Sequence, residues 1–143
     1  MAYEKELSLA LQSAREAGEV VMAFFRKKNE IRTKEDGTAV TQADIQSNEL
    51  IVGKIKREFP NDAIVSEESI RTRGEREWHI DPLDGTVAFI SGEDTFTVHI
   101  GLCVKGKPVL GVVFKPATDD MYYAVTGGEA FKVSSSGDKS LLK

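Results

Sequence analysis

The sequence has 143 residues, a formal net charge of −4, 41% hydrophobic and 29% charged residues, the ordinary balance of a soluble globular domain long enough to bury its own core. The mild acidity speaks against a general nucleic-acid binder, no apolar run approaches the roughly 18 residues that span a bilayer, and the start, Met1-Ala2-Tyr3-Glu4-Lys5-Glu6, lacks the layout of a signal peptide. Cys103 is the single cysteine, which excludes a disulfide framework and points to a reducing, cytoplasmic setting.

From Tyr3 to Lys28 apolar and small residues recur at helical spacing, at Leu7, Leu11, Ala14, Gly18, Val21 and Phe25, which predicts one long amphipathic helix. Gly18 on that stripe is expected to mark a close contact rather than chemistry. The stretch Lys34-Glu35-Asp36-Gly37-Thr38 breaks the pattern as a turn. A second helix is expected to start near Thr41, whose hydroxyl can cap the first turn. Its apolar side would be Ile45, Leu50, Ile55 and Phe59, and Pro60-Asn61-Asp62 would end it.

Short strands follow in Ala63-Ile64-Val65 and Trp78-His79-Ile80, each running into acidic residues. After Thr95 the pattern is of strands: Phe96 to Ile100, Val104 with the turn Lys105-Gly106-Lys107, Pro108 to Phe114, Met121 to Val125, and Ala130 to Val133. Cys103, within this pattern, is expected in the core. Ser134 to Lys143 is polar and poor in core residues, as a linker or frayed terminus would be. Two helices before a meander of strands predict a layered α+β domain over 1–133, with two amino-terminal helices packed on a largely antiparallel sheet, and a polar tail or linker over 134–143.

The informative string is Asp81-Pro82-Leu83-Asp84-Gly85-Thr86. Asp81 and Asp84, either side of a proline in a stiff turn, could supply two carboxylates to a hard divalent cation, with the Leu83 carbonyl between them. Gly85 lets backbone approach a ligand, and a helix starting after Thr86 would leave the Gly85 and Thr86 amides free for an anion. Glu67-Glu68 adds carboxylates at another strand end, and Asp44 lies near the start of the second helix. Taken singly, Glu67-Glu68 is a common surface pair and Asp44 a common first-turn aspartate. The longer string is expected by chance only on the order of once in 10⁴ sequences of this size. His79 and His99 have no metal-ligand spacing with each other and are expected to be packed or surface residues.

The chain resembles the lithium-sensitive, metal-dependent phosphatases of the inositol monophosphatase superfamily. The resemblance rests on Val40-Thr41-Gln42-Ala43-Asp44, Ser66-Glu67-Glu68-Ser69 and Trp78-His79-Ile80-Asp81-Pro82-Leu83-Asp84-Gly85-Thr86, with support from Phe96 to Leu102, Gly106 to Val113 and Met121 to Ala124. It is somewhat closer to the 3'(2'),5'-bisphosphate nucleotidase branch, and it covers the amino-terminal half of the family's αβαβα sandwich. It implies magnesium as cofactor, two or three ions to a complete site. Glu67 would ligate the first ion and orient the attacking water, Asp81 would bridge two ions, Leu83 would offer its carbonyl, and Asp84 would hold the second. Thr86 would help activate water, the Gly85 and Thr86 amides would hold phosphate, and Asp44 would serve a third, weaker metal position.

The implied reaction is in-line hydrolysis of a phosphate monoester by metal-activated water. The implied partner is a small phosphorylated metabolite, a 3'(2'),5'-bisphosphate nucleotide before an inositol phosphate, and neither a nucleic-acid polymer nor a membrane; a homodimer stays open. Two departures accompany the resemblance. Val87-Ala88-Phe89 stands where the family usually has a polar or charged residue before the aromatic. The family's second half, with a Trp-Asp motif that completes the second metal site, has no counterpart here. An amino-terminal portion or shortened relative is therefore expected, and it could be inactive alone. The alternatives are a noncatalytic metal- or phosphate-binding relative and a structural domain whose acidic segments are surface loops.

Overall fold

The computed structural model describes residues 2–26, 28–66 and 74–142. Helix α1 spans Glu4–Arg26 and α2 spans Lys28–Glu58. Strands β1 (Ala63–Ser66) and β2 (Arg76–Asp84) precede a short helix α3 (Thr86–Ser91), and β3 (Thr97–Val104), β4 (Lys107–Lys115), β5 (Asp120–Val125), β6 (Ala130–Val133) and β7 (Lys139–Leu141) follow. Among the described residues these make one seven-stranded sheet in chain order, parallel between β1 and β2 and antiparallel everywhere else. The expected architecture, two amino-terminal helices on a largely antiparallel sheet, is the one observed.

Three local expectations are corrected. Lys34 to Thr38 is not a turn, and α2 does not wait for Thr41, because the helix is continuous from Lys28. One interior glycine costs a helix only about 1 kcal/mol, and the lysine, glutamate and alanine residues around Gly37 are good helix formers. Beyond Val133, residues Lys139 to Leu141 pair with β6 as β7, where no strand was expected. The alternation of β3 leaves Cys103 half-buried rather than in the core.

Both helices cover one face of the sheet, α1 over β3 and β4 and α2 over β2. The residues facing them, including Trp78, Ile80, Val98, Ile100, Leu102, Val112 and Phe114, are buried. The inward stripe of α1 is narrower in side-chain volume than the leucines suggest: Ala10, Ala14 and Ala17 are fully buried while Leu7 and Leu11 are only partly so. Small residues let the helix approach closely, and Gly18 is the extreme case. A Cβ there would lie 2.4 Å from Cε2 of Phe114, a ring also covered by the Arg15 guanidinium at 5.2 Å. Gly18→Ala is therefore expected to cost about 1–3 kcal/mol by overpacking, despite alanine's better helix propensity. A urea midpoint equal to or above the parent's would contradict this contact.

The lower end of the layer is pinned by Arg76. Its guanidinium lies 2.9 Å from Asp62 Oδ1 and 2.9 Å from Glu6 Oε2, joining β2 to the α2–β1 connection and to α1. The hydrogen bond to Asp62 raises the Arg76 pKa against partial burial, and Glu6 adds to the rise. The other Asp62 oxygen accepts the Trp78 indole N–H at 2.9 Å. At the opposite end, the rings of Phe25, Phe89 and Phe96 meet with centroids 4.8 to 5.6 Å apart. They fasten α3, directly after the acidic string, between α1 and the start of β3.

Candidate metal and phosphate site

The acidic string does not form a turn, because β2 runs through it to Asp84. Its path is irregular, however. Asp81 pairs with His99 and Asp84 with Thr97, so β2 advances three residues while β3 advances two. One extra residue in β2 is a bulge, and Pro82, which has no N–H to give the ladder, sits inside it. In a regular strand residues three apart point to opposite faces. The bulge resets that alternation and brings Asp81 and Asp84 to the same side, while Leu83 stays in the core at 4% exposure.

Helix α2 holds the bulge in place. Ser47 Oγ donates to the Pro82 carbonyl at 2.9 Å, a buried contact. On the same helix face, Asn48 Oδ1 accepts from Ser66 Oγ at 2.6 Å at the end of β1. Ser66 is the register partner of Ile80, so the ends of the two strands that carry the acidic motifs lie side by side. Asp44 is half-buried one turn before Ser47 and Asn48. Ser47→Ala removes the donor to Pro82 and is expected to cost about 1 kcal/mol of stability. It should also weaken divalent-cation binding about tenfold, the lower end of what losing an outer-shell partner costs. Titration of the variant with magnesium chloride tests this, and affinity equal to the parent's would show that the clamp has no part in the site.

Among the described residues, one group can bring ligand atoms together: Asp81, Asp84 and His99 offer atoms within 4.8 Å of one another. Asp84 is 56% exposed and His99 41%, with His99 Nε2 3.9 Å from Asp84 Oδ2. The same nitrogen is 2.8 Å from Thr97 Oγ1. Two carboxylates and an imidazole, open to solvent, fit a divalent cation by donor chemistry and spacing.

Asp44 is not a member of this group. Glu67 and Glu68 lie outside the described residues, as does the Thr86 side chain. Gly85 precedes α3 with φ of 89°, and a Cβ there would lie 3.3 Å from Phe96 Cα. Both its left-handed backbone and its closeness to β3 therefore call for glycine. The sequence reading missed His99, Ser47 and Asn48. The signal for His99 was its position opposite Asp81, which needs the strand register; for Ser47 and Asn48 it was their spacing of three and four from Asp44.

Residues 2–140 match the inositol monophosphatase family model. Over 128 residues the chain is 40% identical to the 3'(2'),5'-bisphosphate nucleotidase CysQ of Salmonella typhimurium, covering 85% of this chain and 52% of that protein. It is also 40% identical over 129 residues to the histidinol-phosphatase of Chlorobaculum parvum, covering 88% of this chain and 50% of that one. Among solved structures, CysQ from Bacteroides thetaiotaomicron superposes with a TM-score of 0.84 at 29% identity, covering 94% of this chain and 51% of that chain. The chain spans about half the length of the curated relatives it matches.

Proposed function

This chain belongs to the inositol monophosphatase family, and we propose that it carries the metal and phosphate site of a magnesium-dependent phosphomonoesterase acting on a small phosphorylated metabolite. The observation that carries the reading is the convergence of Asp81 and Asp84 on one side of a bulged strand. Two carboxylates held together repel each other, and a bound cation would relieve that repulsion.

In this reading Asp81, Asp84 and Glu67 hold magnesium with the Leu83 carbonyl, and Asp44 serves a further, weaker position. When bound, the cation polarises a phosphate oxygen and makes water more acidic. Glu67 and Thr86 orient the water, and the Gly85 and Thr86 amides receive the phosphate. Ser47 and Asn48 act only through the strands they hold. The substrate favoured is a 3'(2'),5'-bisphosphate nucleotide, supported by the likeness to CysQ, with an inositol phosphate next. The equal identity to a histidinol-phosphatase supports the reaction class more strongly than any one substrate. Lithium sensitivity and a cytoplasmic setting belong to the same reading; among the described residues no helix is long and apolar enough to cross a membrane.

The test is release of inorganic phosphate with magnesium, with and without lithium, from 3'-phosphoadenosine 5'-phosphate, inositol 1-phosphate and fructose 1,6-bisphosphate. Lithium-sensitive release from one of them is expected. One alternative is a module that binds metal and phosphate without turnover. Binding of magnesium with no phosphate release across the panel would select it.

A further inference from the structure

The imidazole of His99 has no place in the roles above, yet it is the third member of the group. Strand β3 pairs with β2 on one side and β4 on the other, with His99 opposite Asp81 and Val113. Its backbone is thus fixed beside the acidic pair rather than carried on a loop. Nε2 faces Asp84 Oδ2 at 3.9 Å and Thr97 Oγ1 at 2.8 Å, so the ring presents that nitrogen to the place where the carboxylates converge. A half-exposed His–Asp pair at this distance contributes little by itself. All three side chains nevertheless offer ligand atoms within 4.8 Å of one another.

We propose that His99 is a nitrogen ligand of this site, which therefore takes the borderline cation zinc more tightly than magnesium. The proposal rests on the reading that Asp81 and Asp84 hold a divalent cation. Magnesium takes oxygen donors almost exclusively and gives up water reluctantly. Imidazole suits zinc and the later first-row metals, whereas manganese, like magnesium, is suited by carboxylate, carbonyl and water oxygens. Two carboxylates and one imidazole form a three-ligand set of the kind that leaves positions open for water or a phosphate oxygen. Coordination through Nε2 exchanges the Thr97 contact for the metal, and that hydroxyl is free to rotate.

The chain has two histidines, so His79 is an internal control. Calorimetric titrations of the parent, His99→Asn and His79→Asn with magnesium, manganese and zinc chlorides separate the outcomes, with the imidazole nitrogen resonances followed on zinc addition. The expected result is tighter binding of zinc than of magnesium by the parent, with manganese as the oxygen-preferring control. His99→Asn should lose at least about tenfold in zinc affinity, the loss that even an outer-shell partner produces, with magnesium affinity unchanged. His79→Asn should match the parent, and zinc should shift the His99 nitrogen signal. If His99→Asn keeps the parent's preference, or the His99 signal ignores zinc, the ligand role is overturned while the Asp81–Asp84 site stands. If no divalent cation binds the parent, the cation site itself fails and the role of His99 with it.

Discussion

Asp81→Asn is expected to lower divalent-cation affinity on the order of 100-fold or more, beyond what loss of an outer-shell partner costs, with little change in folding. Asparagine keeps the size and one acceptor oxygen of aspartate but carries no charge, and its amide nitrogen is a donor facing the cation. The ladder to β3 at this position is made by backbone, which the exchange leaves alone. Asp84→Asn should behave alike, with even less effect on folding because that side chain is 56% exposed. Calorimetric titration measures the affinity, and circular dichroism with a thermal melt measures the fold. Parent-like affinity in Asp81→Asn would remove that side chain from the site.

The largest expected loss of stability comes from Trp78→Ala. The side chain is fully buried, lies against Phe59 with ring centroids 5.9 Å apart, and donates its N–H to Asp62. Truncating a buried tryptophan costs about 3–5 kcal/mol, a large part of the roughly 5–15 kcal/mol that holds a domain together. Trp78→Phe keeps most of the packing and gives up one hydrogen bond to a carboxylate, worth about 1.5–3 kcal/mol; Arg76 still satisfies Asp62 from the other side. Urea unfolding followed by circular dichroism should rank parent, phenylalanine and alanine in that order of stability. Equal midpoints for the parent and Trp78→Ala would mean that this corner does not support the sheet.

Much of the layer was legible because its signals are local. The helical stripe of α1, the turn at Lys105-Gly106-Lys107 and the alternation of Phe96 to Ile100 all lie within short windows. Gly18 was legible as a contact because it falls on the apolar stripe of α1. The course of α2 was not. Its inward face carries Ser47 and Asn48 beside Ile51 and Ile55, and counting apolar residues selected Ile45 and Leu50, which are only partly buried. Polar groups are buried there because Pro82 and Ser66 meet them, a fact of tertiary structure. The short strand β7 is specified by pairing with β6, and its exposed side chains leave no pattern.

The site divides in the same way. Asp81, Asp84 and Gly85 were legible as a string with rare chance occurrence. The bulge that turns the two aspartates to one side depends on the register against β3, and a proline between two acids is equally compatible with a turn. In the sequence His99 has no metal-ligand spacing with His79; only the ladder puts it opposite Asp81.

The central claim is that the bulge at Pro82 gathers Asp81 and Asp84 around one cation. The most direct measurement is a crystal of this chain grown or soaked with manganese, with anomalous scattering used to find the ion. A manganese peak in contact with both carboxylates is the predicted result. Saturating manganese with no peak at these residues, or carboxylates on opposite faces of β2, would contradict it.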